Sequence, residues 1–398
     1  MKKSLIALAA LAATASFAQS SVQLDGILDA GYQAINYKGA NNNVNGIAGN
    51  GSSTSQLNVR GSEDLGGGLK AEFRVETDWN VVSNLANTGQ ASGINSTSSA
   101  NSINSGVGTF GNGEIRVGLA GGFGRVDLGA VNYNTLGTFT TGQPFGTAIG
   151  SGFRAVFIND AQATSQVRAE NAVKYTTPTF SGFNATLYKS NKQTKAQTVA
   201  ASGTSTTGLI SQPNAFSTSL GAYDQIGTQE LGVNYGNGPI AASFSQIKQD
   251  FAGISSVNGS LAAAGSTENT INTAAGKYTF GNAATLSALY QTNKTNTNSV
   301  NNKIYSISGT YTMGNVVLMA QVGELKNVAN AKSKLWGLGA DYNLSKRTAV
   351  YFRAESVDDQ ANVMNAAINP TAVVGSTAAQ TGADAKFTRT AIGVRHSF

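Results

Sequence analysis

From Leu69 to Trp79 the chain alternates without a break. Leu69, Ala71, Phe73, Val75, Thr77 and Trp79 share one parity, and Lys70, Glu72, Arg74, Glu76 and Asp78 share the other. Successive side chains of a strand point to opposite faces, so this segment is a strand with one apolar and one wettable side. The preceding run also alternates, with Leu57, Val59 and Gly61 against Gln56, Asn58, Arg60 and Ser62. Between the two runs, Glu63-Asp64-Leu65-Gly66-Gly67-Gly68 supplies the residues of a tight turn, and the unit reads as a hairpin.

The unit recurs down the chain. Tight turns are expected at 64–68, 121–124, 177–182, 236–239, 280–283, 312–315 and 343–347. Longer connections rich in Asn, Ser, Thr and Gly fall near 38–53, 81–112, 132–167, 191–228, 249–269, 293–302, 326–333 and 357–384. Seven turns and eight loops join 16 antiparallel strands. An even strand number with turns on one rim and loops on the other is the layout of a transmembrane β-barrel. The expected fold class is therefore all-β.

Aromatic placement points the same way. Tyr175, Tyr235, Tyr278, Tyr311 and Tyr342 each precede a turn, as interfacial rings at one membrane depth would. Tyr37, Trp79, Tyr133, Tyr188, Tyr290 and Trp336 lie near the loop ends and are assigned to the opposite girdle. The last strand alternates to a terminal aromatic, with Thr390, Ile392, Val394, His396 and Phe398 on one parity. It is expected to pair with the first strand, Val22 to Tyr37, because an unpaired edge would be a liability.

The amino-terminal segment has its own logic. Met1-Lys2-Lys3, an apolar run from Leu5 to Ala13 and the closing Ser16-Phe17-Ala18 form a secretory signal peptide, with cleavage expected after Ala18. The apolar run falls short of the ~20 residues that a membrane helix needs. Residues 19–398 are expected to be the barrel, with the strand pattern starting at Val22, which disfavours a passenger domain ahead of it. Without Lys2 and Lys3, 25 basic residues face 21 acidic ones, a net charge of +4. No dense basic run with interleaved aromatics is present, so nucleic acid is not an expected partner.

Several motifs carry a family resemblance: Glu63-Asp64-Leu65-Gly66-Gly67-Gly68-Leu69-Lys70-Ala71, Val117-Gly118-Leu119-Ala120-Gly121-Gly122-Phe123-Gly124, Asn171-Ala172-Val173-Lys174-Tyr175-Thr176-Thr177-Pro178 and the final Phe398. Together they resemble the general trimeric porins of β-proteobacteria over the whole mature chain. The resemblance implies a homotrimer of 16-stranded barrels in outer-membrane lipid and lipopolysaccharide, each pore narrowed by an inward-folded third loop. It implies that Phe398 is a C-terminal signal for the barrel-assembly machinery. It also implies that the second loop, between Val81 and Asn112, latches onto a neighbouring subunit.

Catalytic constellations are missing. The sequence has one histidine, His396, and no cysteine. A Ser-His-Asp hydrolase needs a histidine to pass a proton, and this one lies near the chain end on the apolar parity. Glu63-Asp64 and Asp358-Asp359 are read as solvated charges at a turn and a loop, and no phosphate-binding loop is present. No cofactor is expected. Only a loose surface calcium site is conceivable.

The lumenal parity is where function is sought. Arg60, Arg74 and Arg116 fall at comparable heights on adjacent strands and are expected to form a basic ladder, with Lys70, Glu72, Glu114 and Lys174 also on the lumen wall. In the family such arginines face the constriction loop. The third loop holds one acid, Asp160, and one base, Arg154, and its expected tip is Gln143-Pro144-Phe145 between two glycines. The tip faintly resembles the Pro-Glu-Phe-Gly-Gly turn of enteric porins, without its acid. A fixed charge ~6 Å from an ion is worth roughly 0.7 kcal/mol in water, and salt screens it further, so three arginines together give about tenfold selectivity. Glu72, Glu76, Glu114 and Asp127 offset part of this. The expectation is a general diffusion pore with mild anion preference. A substrate-specific anion channel, an adhesin and an autotransporter translocator are the alternatives.

Overall fold

The computed structural model describes residues 20–37, 44–79, 81–82, 110–152, 167–190, 223–257, 260–297, 300–359 and 386–398. Among these, seventeen strand segments form a single antiparallel sheet that closes on itself. The strands are β1 (Ser21–Tyr37), β2 (Val44–Gly49), β3 (Gln56–Gly66), β4 (Leu69–Asp78), β5 (Ile115–Gly121) and β6 (Gly124–Asn132). After a helix, α1 (Asn134–Thr141), come β7 (Arg168–Thr176), β8 (Phe183–Ser190), β9 (Tyr223–Asn237), β10 (Ile240–Val257) and β11 (Ser260–Phe280). The last six are β12 (Ala284–Thr295), β13 (Asn301–Met313), β14 (Val316–Lys326), β15 (Lys332–Asn343), β16 (Thr348–Asp359) and β17 (Lys386–Ser397).

All seven expected turns join consecutive strands. At the first, Gly66, Gly67 and Gly68 all adopt positive φ, a succession that glycine adopts without steric cost. The barrel closes where Ile27 to Tyr37 of β1 pair with Phe387 to Ser397 of β17.

The second wall strand is broken in two. β1 pairs with β3 along its lower half, from Ser21 to Ile27, and with β2 along its upper half, from Ala30 to Ile35. β2 and β3 are thus two pieces of one strand, separated by an excursion at residues 50–55, and the wall has sixteen strands. The expected first loop, 38–53, is corrected accordingly: Val44–Gly49 within it is wall. The fifth loop is corrected too. Of the residues expected to form it, 249–269, those up to Val257 and from Ser260 continue β10 and β11 as paired strands, with a register shift between Ala252 and Ile254.

Burial is inverted relative to a water-soluble protein. Val117, Leu128, Leu187, Ile307, Leu338 and Ile392 are exposed on the outer face, while Asp29, Asp127, Thr273, Gln291 and Ser306 are buried on the inner one. A barrel with an apolar outside and a polar inside is built for lipid. Tyr278, Tyr311 and Tyr342 stand on that outer face before their turns, as do Tyr290 and Trp336 near the loop ends. Tyr133 and Tyr188 do not. They are buried inside, edge to face at 4.8 Å between ring centroids. Their parity explains the correction: Tyr133 continues the inward register of Asp127 and Val131, and Tyr188 that of Thr186.

The expected signal segment, residues 1–18, most of the expected second loop, and Arg154 and Asp160 lie outside the described residues.

Candidate functional site

The arginine ladder is in register. Arg60 on β3 stands opposite Arg74 on β4, which stands opposite Arg116 on β5. Adjacent strands lie about 4.8 Å apart, so three cations in one row need interleaved anions. Arg60 donates to Asp25 at 2.6 Å, Arg74 to Glu114 at 2.9 Å and Arg116 to Asp127 at 2.8 Å. Glu76 also pairs with Arg74, and Arg125 donates to Asp127 at 2.7 Å. Glu72 is more distant, 3.9 Å from Arg116 and 3.7 Å from Arg125.

The pairs are lopsided in their access to water. The Arg60 side chain is 47% exposed against 32% for Asp25, and Arg125 is 37% exposed against 0% for Asp127. Arg74 at 23% likewise outreaches Glu114 at 9%. In these three pairs the cation is the more exposed end, whereas Arg116 at 13% is less exposed than Glu72 at 27%.

The third loop is pinned to the wall by carboxylates. Tyr133 precedes α1 without providing a side-chain cap. Glu230 of β9 takes that role, accepting from the backbone N–H of Asn134 at 2.6 Å, that of Thr135 at 2.7 Å and the Thr135 hydroxyl at 2.8 Å. The first N–H groups of a helix have no partner within it and carry a partial positive charge, so a buried carboxylate satisfies both demands. One turn on, the Thr138 and Ser243 hydroxyls meet at 2.6 Å. Ser308 of β13 donates to the Gly142 carbonyl at 3.1 Å.

Around Pro144, Gln143 closes the bend with its own amide. Its Oε1 accepts from the Phe145 N–H at 2.6 Å, and its Nε2 donates to the Gly146 carbonyl at 2.7 Å. Phe145 is buried, with the Arg353 guanidinium 6.0 Å from its ring centroid. The backbone N–H groups of Gly150 and Gly152 then donate to Glu355 of β16 at 2.7 and 3.2 Å. From α1 to Gly152 the segment contains no charged side chain, and it runs along the inner wall from β9 to β16.

A third carboxylate holds the excursion in the broken strand. Asp29 accepts from the N–H groups of Gly51, Ser52 and Ser53 at 3.2, 2.8 and 2.7 Å, and from the Tyr351 hydroxyl at 2.6 Å. Beside it Arg353 pairs with Asp341 at 2.7 Å and donates to the Ser52 hydroxyl at 2.9 Å, and Arg389 pairs with Glu355 at 2.9 Å. Asp29, Glu230, Glu355, Arg353 and Arg389 were not singled out by the sequence reading. Their inward parity was legible, but their loop partners lie up to 301 positions away.

The remaining expected residues fall as follows. Lys70 is exposed near the turn rim, in register with Asp64 and Ala120. Lys174 donates to the Asn132 carbonyl at 2.9 Å. Phe398 exchanges backbone hydrogen bonds with Gly26, at 3.1 and 3.2 Å. His396 faces outward, its Nδ1 2.9 Å from the Thr348 hydroxyl. Among the described residues no group of His, Cys, Asp or Glu could hold a metal ion.

Known proteins match this arrangement along nearly the whole chain. The family model for Gram-negative porins covers residues 5–362. An outer membrane porin of Delftia acidovorans is 33% identical over 366 residues, 88% of each chain. An outer membrane porin of Bordetella pertussis is 33% identical over 199 residues, 46% of each chain. Among solved structures, an anion-selective porin from Comamonas acidovorans is 29% identical with a TM-score of 0.66, over 96% of this chain and 100% of that one. These relatives are channels rather than enzymes. The chain belongs to the Gram-negative porin family and resides in the outer membrane.

Proposed function

We propose that the protein is a general diffusion porin with a mild preference for anions, and that Arg60, Arg74 and Arg116 set that preference. The observation that carries the reading is the unequal exposure of three ion pairs on this wall, in which Arg60, Arg74 and Arg125 are each more exposed than Asp25, Glu114 and Asp127, with Glu72 the one acid more exposed than its arginine, Arg116. The uncharged loop from Asn134 to Gly152 adds no acid opposite them. Glu230, Glu355 and Asp29 are occupied by backbone N–H groups, which lowers their pull on a passing cation. Discrimination then comes from pore width and lumenal charge, with no cofactor. The name of the Comamonas relative, an anion-selective porin, agrees.

The reading includes a signal peptide at residues 1–18, assembly as a homotrimer, and an outer leaflet of lipopolysaccharide around the loop rim. Arg154 and Asp160 belong to the constriction under the same proposal. So does the use of Phe398 by the assembly machinery: Phe398→Ser is expected to lower the yield of folded barrel in the outer membrane several-fold, and an undiminished yield counts against that role.

The decisive experiment is planar-bilayer recording of the purified protein in a gradient of potassium chloride. The reversal potential is expected to correspond to an anion preference of a few-fold, within the estimate of about tenfold from three screened charges. Arg60→Gln with Arg74→Gln is expected to bring it towards zero. A cation-preferring reversal potential overturns the proposal.

A further inference from the structure

On the outer face of β13, β14 and β15, close to the loop rim, four lysines occupy neighbouring positions. Lys303 is in register with Lys326, and Lys326 with Lys332. Lys334 follows on the same outward parity, opposite Glu324. Glu324 is the one carboxylate facing outward among the residues of these three strands, and it is paired with Lys332 at 2.9 Å. The patch therefore keeps a surplus of positive charge at the height where a membrane's headgroups lie. The connections beside it are short: β12 ends at Thr295 and β13 starts at Asn301, and β14 ends at Lys326 before β15 starts at Lys332.

The residues beneath are of another kind. One step further into the membrane, Ile307, Gly309, Ala320, Val322, Trp336 and Leu338 line an open groove of about 370 Å³. Gly309 and Ala320 make its floor because they lack bulk, and Trp336 forms a side. Lys334 stands two positions from Trp336 on one strand, and Lys303 four from Ile307 on another, so basic shelf and apolar groove are stacked along the same strands.

We propose that this surface is a binding site for a phosphorylated glycolipid of the outer leaflet, with its phosphates on Lys303, Lys326, Lys332 and Lys334 and an acyl chain in the groove. Charge complementarity selects the occupant: lysine ammonium groups on a membrane-facing surface are point charges suited to phosphate. A neutral lipid would fill the groove but leave the shelf uncompensated. The proposal deepens the lipid partner named above and rests on the same orientation, with the loop rim at the outer leaflet.

The test uses the folded full-length protein in detergent, with retained lipid counted by native mass spectrometry. The probes are bisphosphorylated lipid A and the same lipid after enzymatic dephosphorylation. Wild type is expected to bind the phosphorylated form preferentially, and the quadruple variant K303Q/K326Q/K332Q/K334Q to lose about tenfold or more in affinity for it. Ala320→Phe, which fills the groove, is expected to weaken binding of both forms. Lys248→Gln, on the outer face of β10 and paired with Glu268, is expected to change nothing. Equal binding of the two lipids by wild type overturns the proposal, as does a quadruple variant within twofold of wild type. So does cross-linking that places the patch between subunits. Single-channel conductance of the same variants is read alongside: retained conductance with lost lipid supports the site, whereas absent conductance in wild type strikes the channel reading instead.

Discussion

Exchanging Glu230 and Glu355 for glutamine is expected to unpin the third loop, raising single-channel conductance and lowering the voltage at which the pore closes. Each carboxylate accepts at least two hydrogen bonds from loop backbone N–H groups. Hydrogen bonds to a buried charge contribute roughly 1.5–3 kcal/mol each, and glutamine retains one acceptor oxygen, so about 3 kcal/mol of docking is lost at Glu230, whose loop N–H groups reach different oxygens, and less at Glu355, where both reach the same one. Glu355→Gln also deprives Arg389 of its partner and should lower barrel stability. Glu230→Gln alone, which leaves no arginine unpaired, separates loop release from wall damage. Excising residues 143–146 should raise conductance further. An unchanged conductance after both changes would place the narrowest point of the pore away from this loop.

Gly393→Val is expected to prevent closure of the barrel. Gly31 of β1 and Gly393 of β17 stand opposite each other at the seam. A side chain on Gly393 would meet the Ala30 carbonyl and the Tyr351 hydroxyl, each 2.5 Å from its Cβ. The Ala30 atom is backbone and cannot turn aside, and Tyr351 is held by Asp29 at 2.6 Å. Overpacking of this kind costs ~3 kcal/mol or more where rigid backbone is involved. The variant should lose the compact, heat-modifiable band in gel electrophoresis that a closed barrel gives. A wild-type proportion of that band would mean that the seam tolerates a wider gap.

Much of the architecture was readable because lipid writes it into the chain. Between Leu69 and Trp79 the outward parity must be apolar and the inward one wettable, so two-residue periodicity and glycine turns suffice to locate strands. The signal fades where lipid stops. The stretch 249–269 is rich in Ser, Gly, Ala and Asn and shows no apolar alternation, so it reads as loop although its strands pair. Val44–Gly49 is short, and its continuation into β3 is broken, which hides it. Tyr133 and Tyr188 were misread by counting distance from the strand end without counting parity. For the site, the ladder of Arg60, Arg74 and Arg116 followed from local position alone. The anchors at Asp29, Glu230 and Glu355 depend on where distant loop backbone comes to rest, and that only the closed fold determines.

The pairing of β10 with β11 has a consequence for the cell surface. A strand crosses the hydrocarbon layer in about 9–11 residues, whereas these two run for 18 and 21. With ~3.3 Å per residue and a tilt of about 45°, the surplus of roughly eight residues carries the paired ends of β10 and β11, at Val257 and Ser260, about 18 Å clear of the lipid. That height makes these strand ends an early point of contact for an antibody or a phage. Because they are so far from the ladder, their sequence is free to drift under attack from outside while the permeability of the envelope stays the same.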